Sequence, residues 1–387
     1  MRRGTKLLVA ANFVSCLSWG LCWTYLNFRL YDIGASYAQL CLLDSLGAVA
    51  ALTSRIWGAL SDYYGRRKPF ALLGLTASTF PMALMAAFNN SIWALLLSYL
   101  VAYLLWSAGY PAFIAALTSD PEREKASAAF FFVGSVGWAL GAGLMGPAER
   151  LLGPAGVFLA CLAISLPFPA IMAFYEEAPL PRKEGPVGAY VREALSLRFR
   201  AGRGFGLLLG SVFLAWLGLQ WASPLARMRL YDALGHSKEL VGFIWAASSI
   251  ISSLAVLAGA RVVRRIGAVR VLAASVLSYA VLMPCFALLQ DPGALVAAWL
   301  IPIWPFFNLG YTLSPAEFSR EEHRGEAMGA EEVAKNAGVI LGVAGGLVAD
   351  RIGRESSLIL SALPLSLAFL LACACHGRAR GLRRTSS

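Results

Sequence analysis

The chain has 387 residues, 58% hydrophobic and only 14% charged, with a strongly positive mean hydropathy. So few charges exclude an assembly of soluble domains, and the apolar residues must find lipid. The formal charge of +11 invites a nucleic-acid reading, but the basic residues are distributed in a way that argues against nucleic acid as a partner.

Apolar runs of about 20 residues, enough to cross roughly 30 Å of hydrocarbon, recur at 7–29, 38–60, 70–89, 92–117, 127–148, 155–175, 206–228, 240–260, 269–289, 294–316, 326–349 and 356–375. They are continuously apolar, whereas barrel strands would alternate, so the spacing predicts an all-α membrane protein with twelve transmembrane helices. The opening Met1 to Lys6 imitates a secretory signal, but the apolar run continues too long and shows no small-residue cleavage site, so it reads as span 1.

In chain order, span 1 carries Asn12, Ser15, Trp19 and Trp23, with Asn27 beyond. Span 2 places Asp44, Ala48, Ala51, Arg55, Gly58 and Asp62 on one helical face. Asp44 is the best-placed membrane carboxylate for proton coupling, and a local cap or pair is its alternative role. Arg55 needs a partner in protein or water, for which Glu331, Glu332 and Lys335 of span 11 are candidates. Span 4 has Tyr99, Tyr103, Trp106 and Tyr110, and small-residue faces follow at Gly137 and Gly141 and at Gly338, Gly342 and Gly346. The polar stretch from Glu176 to Arg203 holds a short amphipathic pattern on Val187, Tyr190, Val191, Ala194 and Leu195, read as a tethering linker with a membrane-surface helix.

The second half repeats the first at an offset of about 200 residues. Arg29-Leu30-Tyr31-Asp32 recurs as Arg229-Leu230-Tyr231-Asp232, Gly20 and Trp23 as Gly218 and Trp221, Gly109-Tyr110 as Gly310-Tyr311, and Arg150 as Arg351. The expected domains are therefore a six-helix bundle over 1–175, a cytoplasmic linker over 176–205 and a second six-helix bundle over 206–387. With the amino terminus inside, about 24 of the 33 Lys and Arg fall on the cytoplasmic side and about 7 outside. Both termini are expected in the cytoplasm, in a multi-pass protein of the cell membrane.

Between spans 2 and 3 stand Gly58, Leu60, Asp62, Gly65, Arg66, Arg67 and Lys68. This stretch resembles the loop signature of the major facilitator superfamily, with Tyr63 where a basic residue is usual. The resemblance implies the major facilitator fold, two pseudo-symmetric six-helix bundles, and a gate in which Asp62 meets the start of span 11 and Arg66 reaches Asp120. It also implies a central cavity lined by spans 1, 4, 7 and 10, where Trp19, Trp23, Asn27, Tyr103, Trp106, Tyr110, Trp216, Gln220, Trp221, Trp304, Asn308 and Tyr311 would meet the solute. No buried Arg or Lys pair is evident in those spans, so a dianion is not expected. Leu104-Leu105 before Gly109 replaces the arginine often found in proton-coupled antiporters of the family.

The expected function is secondary active transport of a small organic solute by alternating access, proton-coupled, with export of a drug or metabolite ahead of nutrient uptake. A non-transporting receptor or sensor of the same fold is the competing class. An enzyme is not expected, because no Ser-Lys, His-rich or paired-Asp constellation stands at membrane depth. Nor is there a phosphate-cradling loop for ATP. No cofactor or metal is implied: the seven cysteines lack ligand spacing and the three histidines lie in loops or near a terminus. The expected partners are the solute, the lipid bilayer and protons, and the chain is expected to act as a monomer.

Overall fold

The computed structural model describes residues 3–118, 122–177, 182–195, 204–319 and 324–384. Among these there is no strand. Twelve helices are long and apolar enough to cross a membrane: Arg3–Asp32, Tyr37–Tyr64, Lys68–Ala87, Ile92–Leu117, Lys125–Gly143, Met145–Ala173, Phe205–Ala233, Lys238–Val256, Ala268–Leu288, Pro292–Glu317, Glu326–Ile352 and Arg354–Cys375. They are numbered spans 1 to 12 below. The protein is thus an all-α multi-pass membrane protein, and every predicted span has a counterpart.

The main boundary difference falls between spans 5 and 6, where span 6 begins at Met145 rather than 155. The chain stays helical through Leu144, and its sharp break is at Gly153, with φ 67° and ψ 174°. A residue before proline is pushed out of the helical region, and Gly153 precedes Pro154 in a conformation that favours glycine. The repeat carries the same device: Gly353, 200 positions on, turns span 11 into span 12 with φ 90° and ψ 154°.

Close contacts divide the chain into two compact units. The first comprises Met1–Ala35, Val49–Ser196 and Ser237–Ile250, and the second Ser36–Ala48, Leu197–His236 and Ile251–Ser387. Each unit is therefore most of one sequence half plus the first turns of a span from the other half, span 8 in one case and span 2 in the other.

Inside the first unit, spans 1 and 5 approach closely through glycine. A Cβ at Gly137 would stand 2.7 Å from the Phe13 carbonyl oxygen, and one at Gly20 equally close to that of Trp138. Span 11 seats on span 7 in the same way, with a Cβ at Gly338 falling 3.0 Å from the Leu217 nitrogen. The small-residue faces read from sequence are these helix seams, where van der Waals packing replaces the hydrophobic drive that lipid cannot supply. The linker helix Val187–Leu195 forms as the amphipathic pattern predicts.

Candidate functional site

Three groups of side chains stand out: an aromatic cluster in each unit, the loop after span 2, and charged contacts that seat the starts of spans 2 and 8.

In the first unit the predicted residues of spans 1 and 4 form one aromatic run. Trp19 meets Tyr103 edge-on at 6.2 Å, Tyr103 lies 5.1 Å from Trp106, and Trp106 stacks on Tyr110 at 4.1 Å. Helical spacing of three and four residues puts Tyr99, Tyr103, Trp106 and Tyr110 on one face. Trp23 packs instead on Trp138 of span 5. Asn27 is buried, donates to the Trp23 carbonyl at 2.7 Å, and its own amide oxygen meets no hydrogen-bond partner among the described residues.

The second unit repeats the arrangement around Trp216. Its ring meets Trp304 at 5.6 Å, Phe307 at 5.5 Å and Tyr311 at 5.4 Å, and the Lys335 ammonium lies 5.8 Å from its centroid. The indole N–H of Trp216 is buried and has no acceptor among the described residues. Asn308 is exposed. Gln220 and Trp221 stand apart from the aromatic cluster: Gln220 donates to Asp44 at 2.9 Å and Trp221 donates to the Ser357 hydroxyl at 2.9 Å.

At the loop after span 2, Gly65 closes the helix in the left-handed conformation, φ 64°. Arg67 contacts Asp62 at 3.4 Å and donates to the Ala115 carbonyl at 2.9 Å. Arg66 is exposed, and its expected partner Asp120 lies outside the described residues. Arg55 forms no ion pair among the described residues, and Lys335, expected as part of its cluster, pairs with Glu332 at 2.5 Å. Glu177 was not singled out from sequence: its carboxylate accepts from the Arg67 and Lys68 backbone N–H groups at 2.5 and 3.0 Å. An acid at a helix start is favoured by the orphan N–H groups there, but a sequence separation of more than 100 residues hides the pairing.

Tyr63, the departure from the usual pattern, receives the linker. Its hydroxyl donates to the Gly185 carbonyl at 2.7 Å, and its carbonyl accepts from the Lys183 N–H at 3.0 Å. The Arg182 guanidinium lies over both Tyr63 and Tyr64, at 5.7 and 5.5 Å. A basic residue at position 63 would remove one of the two rings over which Arg182 lies and the hydroxyl that holds Gly185.

At the opposite helix ends, the repeat yields two matching clasps. In the second unit Asp350 accepts from the Tyr37 and Ala38 N–H groups, at 2.8 and 3.1 Å, and Gly346 leaves room for them: a Cβ there would stand 2.5 Å from the Ala38 Cα. Two turns further, Asp44 accepts from Arg227 at 2.7 Å as well as from Gln220. Arg227 is 2% exposed. Arg229, two residues on, is 8% exposed, so span 7 does hold a buried arginine pair, which was not expected from sequence because the acids that engage the two lie more than 100 residues away.

The first unit carries the counterpart. Lys238, at the start of span 8, bridges Asp32 at 2.5 Å and Glu149 at 2.8 Å, and Tyr25 donates to Glu149 at 2.8 Å. Gly146, 200 positions before Gly346, receives span 8: a Cβ would stand 2.5 Å from the Glu239 nitrogen. The repeated Arg-Leu-Tyr-Asp motif supplies the surrounding ties. Arg29 donates to the Asn89 carbonyl at 3.0 Å, Arg229 to the Phe286 carbonyl at 2.8 Å, and Asp232 pairs with Arg354.

Twelve apolar spans in a repeated six-helix plan, with aromatic surfaces inside each unit and charged clasps at helix ends, define a polytopic membrane protein. The chain belongs to the Major Facilitator Superfamily, whose family model matches residues 8–330 and 208–386. That membership points to a transporter rather than an enzyme.

The fold is also that of solved transporters. A mutant form of the nucleoside transporter NupG superimposes with a TM-score of 0.78 at 14% identity, covering 97% of this chain and 100% of that one. A POT family transporter in complex with 5-aminolevulinic acid gives 0.73 at 11% identity, covering 97% and 95%. A bacterial homologue of the iron transporter ferroportin in an inward-facing state gives 0.71 at 14%, covering 96% and 98%. No protein of curated function matches the chain in sequence.

Proposed function

We propose that this protein is a secondary active transporter that moves a small organic solute with an aromatic or heteroaromatic ring by alternating access, coupled to protons, with export ahead of uptake. The observation that carries the solute class is the pair of aromatic clusters in symmetry-related positions, Trp19-Tyr103-Trp106-Tyr110 and Trp216-Trp304-Tyr311. Ring faces stack on any flat solute. The two clasps support the gating part of the reading: each holds the start of a span from one sequence half on helices of the other, as an end closure requires. The basic-residue count supports a cell-membrane orientation with both termini in the cytoplasm.

Two substitutions test the cluster. Tyr110→Ala and Tyr311→Ala are each expected to weaken solute binding by about tenfold, equivalent to ~1.4 kcal/mol. Unchanged affinity in both would remove the clusters from the binding site. Asp62→Asn is expected to slow flux in proteoliposomes while membrane insertion stays at the parent level, since Asp62 and Arg67 organise the loop after span 2. Flux at the parent rate would leave that loop without a gating role.

The solute itself is sought by thermal shift of the purified protein against sugars, amino acids, nucleosides and lipophilic cations at two pH values. A ligand that binds the folded state raises its apparent stability. Stabilisation by flat aromatic compounds supports the reading, stabilisation by a sugar favours an uptake permease, and no response to any class favours a receptor or sensor.

A further inference from the structure

Glu331 has no task in the reading above. It lies in span 11, roughly 8 Å along the helix from Glu326, and is 4% exposed. Its Oε1 meets no hydrogen-bond partner among the described residues.

The charges around it are already engaged. On its own helix, Glu332 pairs with Lys335 at 2.5 Å and accepts from Asn336 at 3.2 Å. Span 7, packed along span 11, carries no ionisable side chain from Phe205 to Trp221. From span 10, Tyr311 lies within electrostatic reach of both glutamates, and Glu317 accepts from the Ala268 N–H at 2.6 Å. The start of span 2 reaches span 11 through Ser45, which donates to the Val339 and Ile340 carbonyls. Its ionisable groups are Tyr37, Cys41 and Asp44, the last held by Arg227 and Gln220.

A carboxylate withdrawn from water and left unpaired costs several kcal/mol, and acids inside membrane spans are rare for that reason. A group with this little accessible surface has no room for an organic cation, whereas a proton needs only one carboxylate oxygen. We propose that Glu331 is the site at which the protein binds its coupling proton. The inference rests on the proton-coupled transport reading. Binding forms one O–H bond on a carboxylate oxygen with a proton taken from water on one side of the membrane, and release returns that proton to water on the other.

The surroundings supply a route from proton to solute. Glu331 stands four residues before Lys335, the spacing and order at which a Glu to Lys pair is most favourable on a helix. Without its proton, Glu331 competes with Glu332 for the Lys335 ammonium and draws it from the Trp216 ring. Proton occupancy thereby changes the aromatic surface of the second unit.

Infrared difference spectra of the purified protein in lipid, recorded across a pH titration without any solute, test this. The expected result is a titrating carboxyl band that is lost completely in Glu331→Gln and kept in Glu332→Gln. If Glu331→Gln does not fold, Glu331→Asp keeps a carboxyl at the site and is expected to give the band at a displaced position. A band unchanged in Glu331→Gln, or an unmoved band in Glu331→Asp, overturns the proposal. So does a Glu331 band that ignores pH and vanishes on adding tryptamine, which would make the residue an anchor for a solute amine. Because the readout needs no solute, failure to find any transported compound would count against the transport reading and not against the proton site.

Discussion

Alanine at Gly346 is expected to open the clasp at the start of span 2. Its Cβ would overlap the backbone of Tyr37 and Ala38, and neither helix can yield at a main-chain contact without moving as a body. Overpacking of this kind costs ~1–3 kcal/mol, which shifts a two-state equilibrium by roughly 5- to 150-fold. Cys41 is a built-in reporter, since it lies in the clasped segment and is fully buried. In a background where the other six cysteines are replaced, maleimide labelling of Cys41 should accelerate by that factor in Gly346→Ala. Labelling at the parent rate would mean that the glycine is not what permits closure. Gly146→Ala, the symmetry mate at the start of span 8, is expected to act in the same direction.

Arg227→Ala is expected to be the most destabilising single change in the chain. It leaves Asp44, with its side chain 16% exposed, facing a site where the guanidinium was 2% exposed. Breaking a buried pair by removing one partner costs about 3–5 kcal/mol, because the remaining charge is uncompensated. Replacing both residues, as in Arg227→Met with Asp44→Leu, should recover most of the loss, since well-packed apolar groups often substitute for a buried pair at little cost. Thermal unfolding in detergent separates the cases: a single variant as stable as the parent, or a double variant worse than either single one, would contradict this account. The same pair bears on coupling. A carboxylate held by Arg227 and Gln220 is better suited to latching helix ends than to exchanging protons, and the coupling role expected of Asp44 passes in our reading to Glu331.

The clasps could be anticipated only in part. Gly346 is legible as a small residue on a packing face, but the same pattern serves Gly338, which seats on span 7 within its own half, and Gly346, which seats on span 2. Periodicity specifies that a helix will approach, not which one. From sequence the repeat pairs Arg150 with Arg351, and the clasps fall beside that pair, on Gly146 and Glu149 in one half and on Gly346 and Asp350 in the other.

Among the charged residues the outcome was mixed. Asp62 and Gly65 occupy the turn that the motif implies, and Arg67, to which the motif assigns no partner, contacts Asp62 there. Tyr63 looked like a tolerated departure and proved to be the residue on which the linker docks. Linear sequence cannot pair residues more than 100 positions apart without a structural frame.

What the sequence determined by itself is the class of solution. Apolar runs of membrane-crossing length can exist only as helices in lipid, and a repeat of about 200 residues makes them six plus six. The aromatic faces of spans 1, 4, 7 and 10 follow from the same helical period. Only the tertiary structure decided which charges meet: the buried Arg227 with Asp44, Lys238 between Asp32 and Glu149, Glu177 under the Arg67 turn, and Glu331 with a buried oxygen that no donor meets among the described residues. The physical reason is that burial sets the worth of a charge, and burial is a property of the packed helices rather than of any one of them.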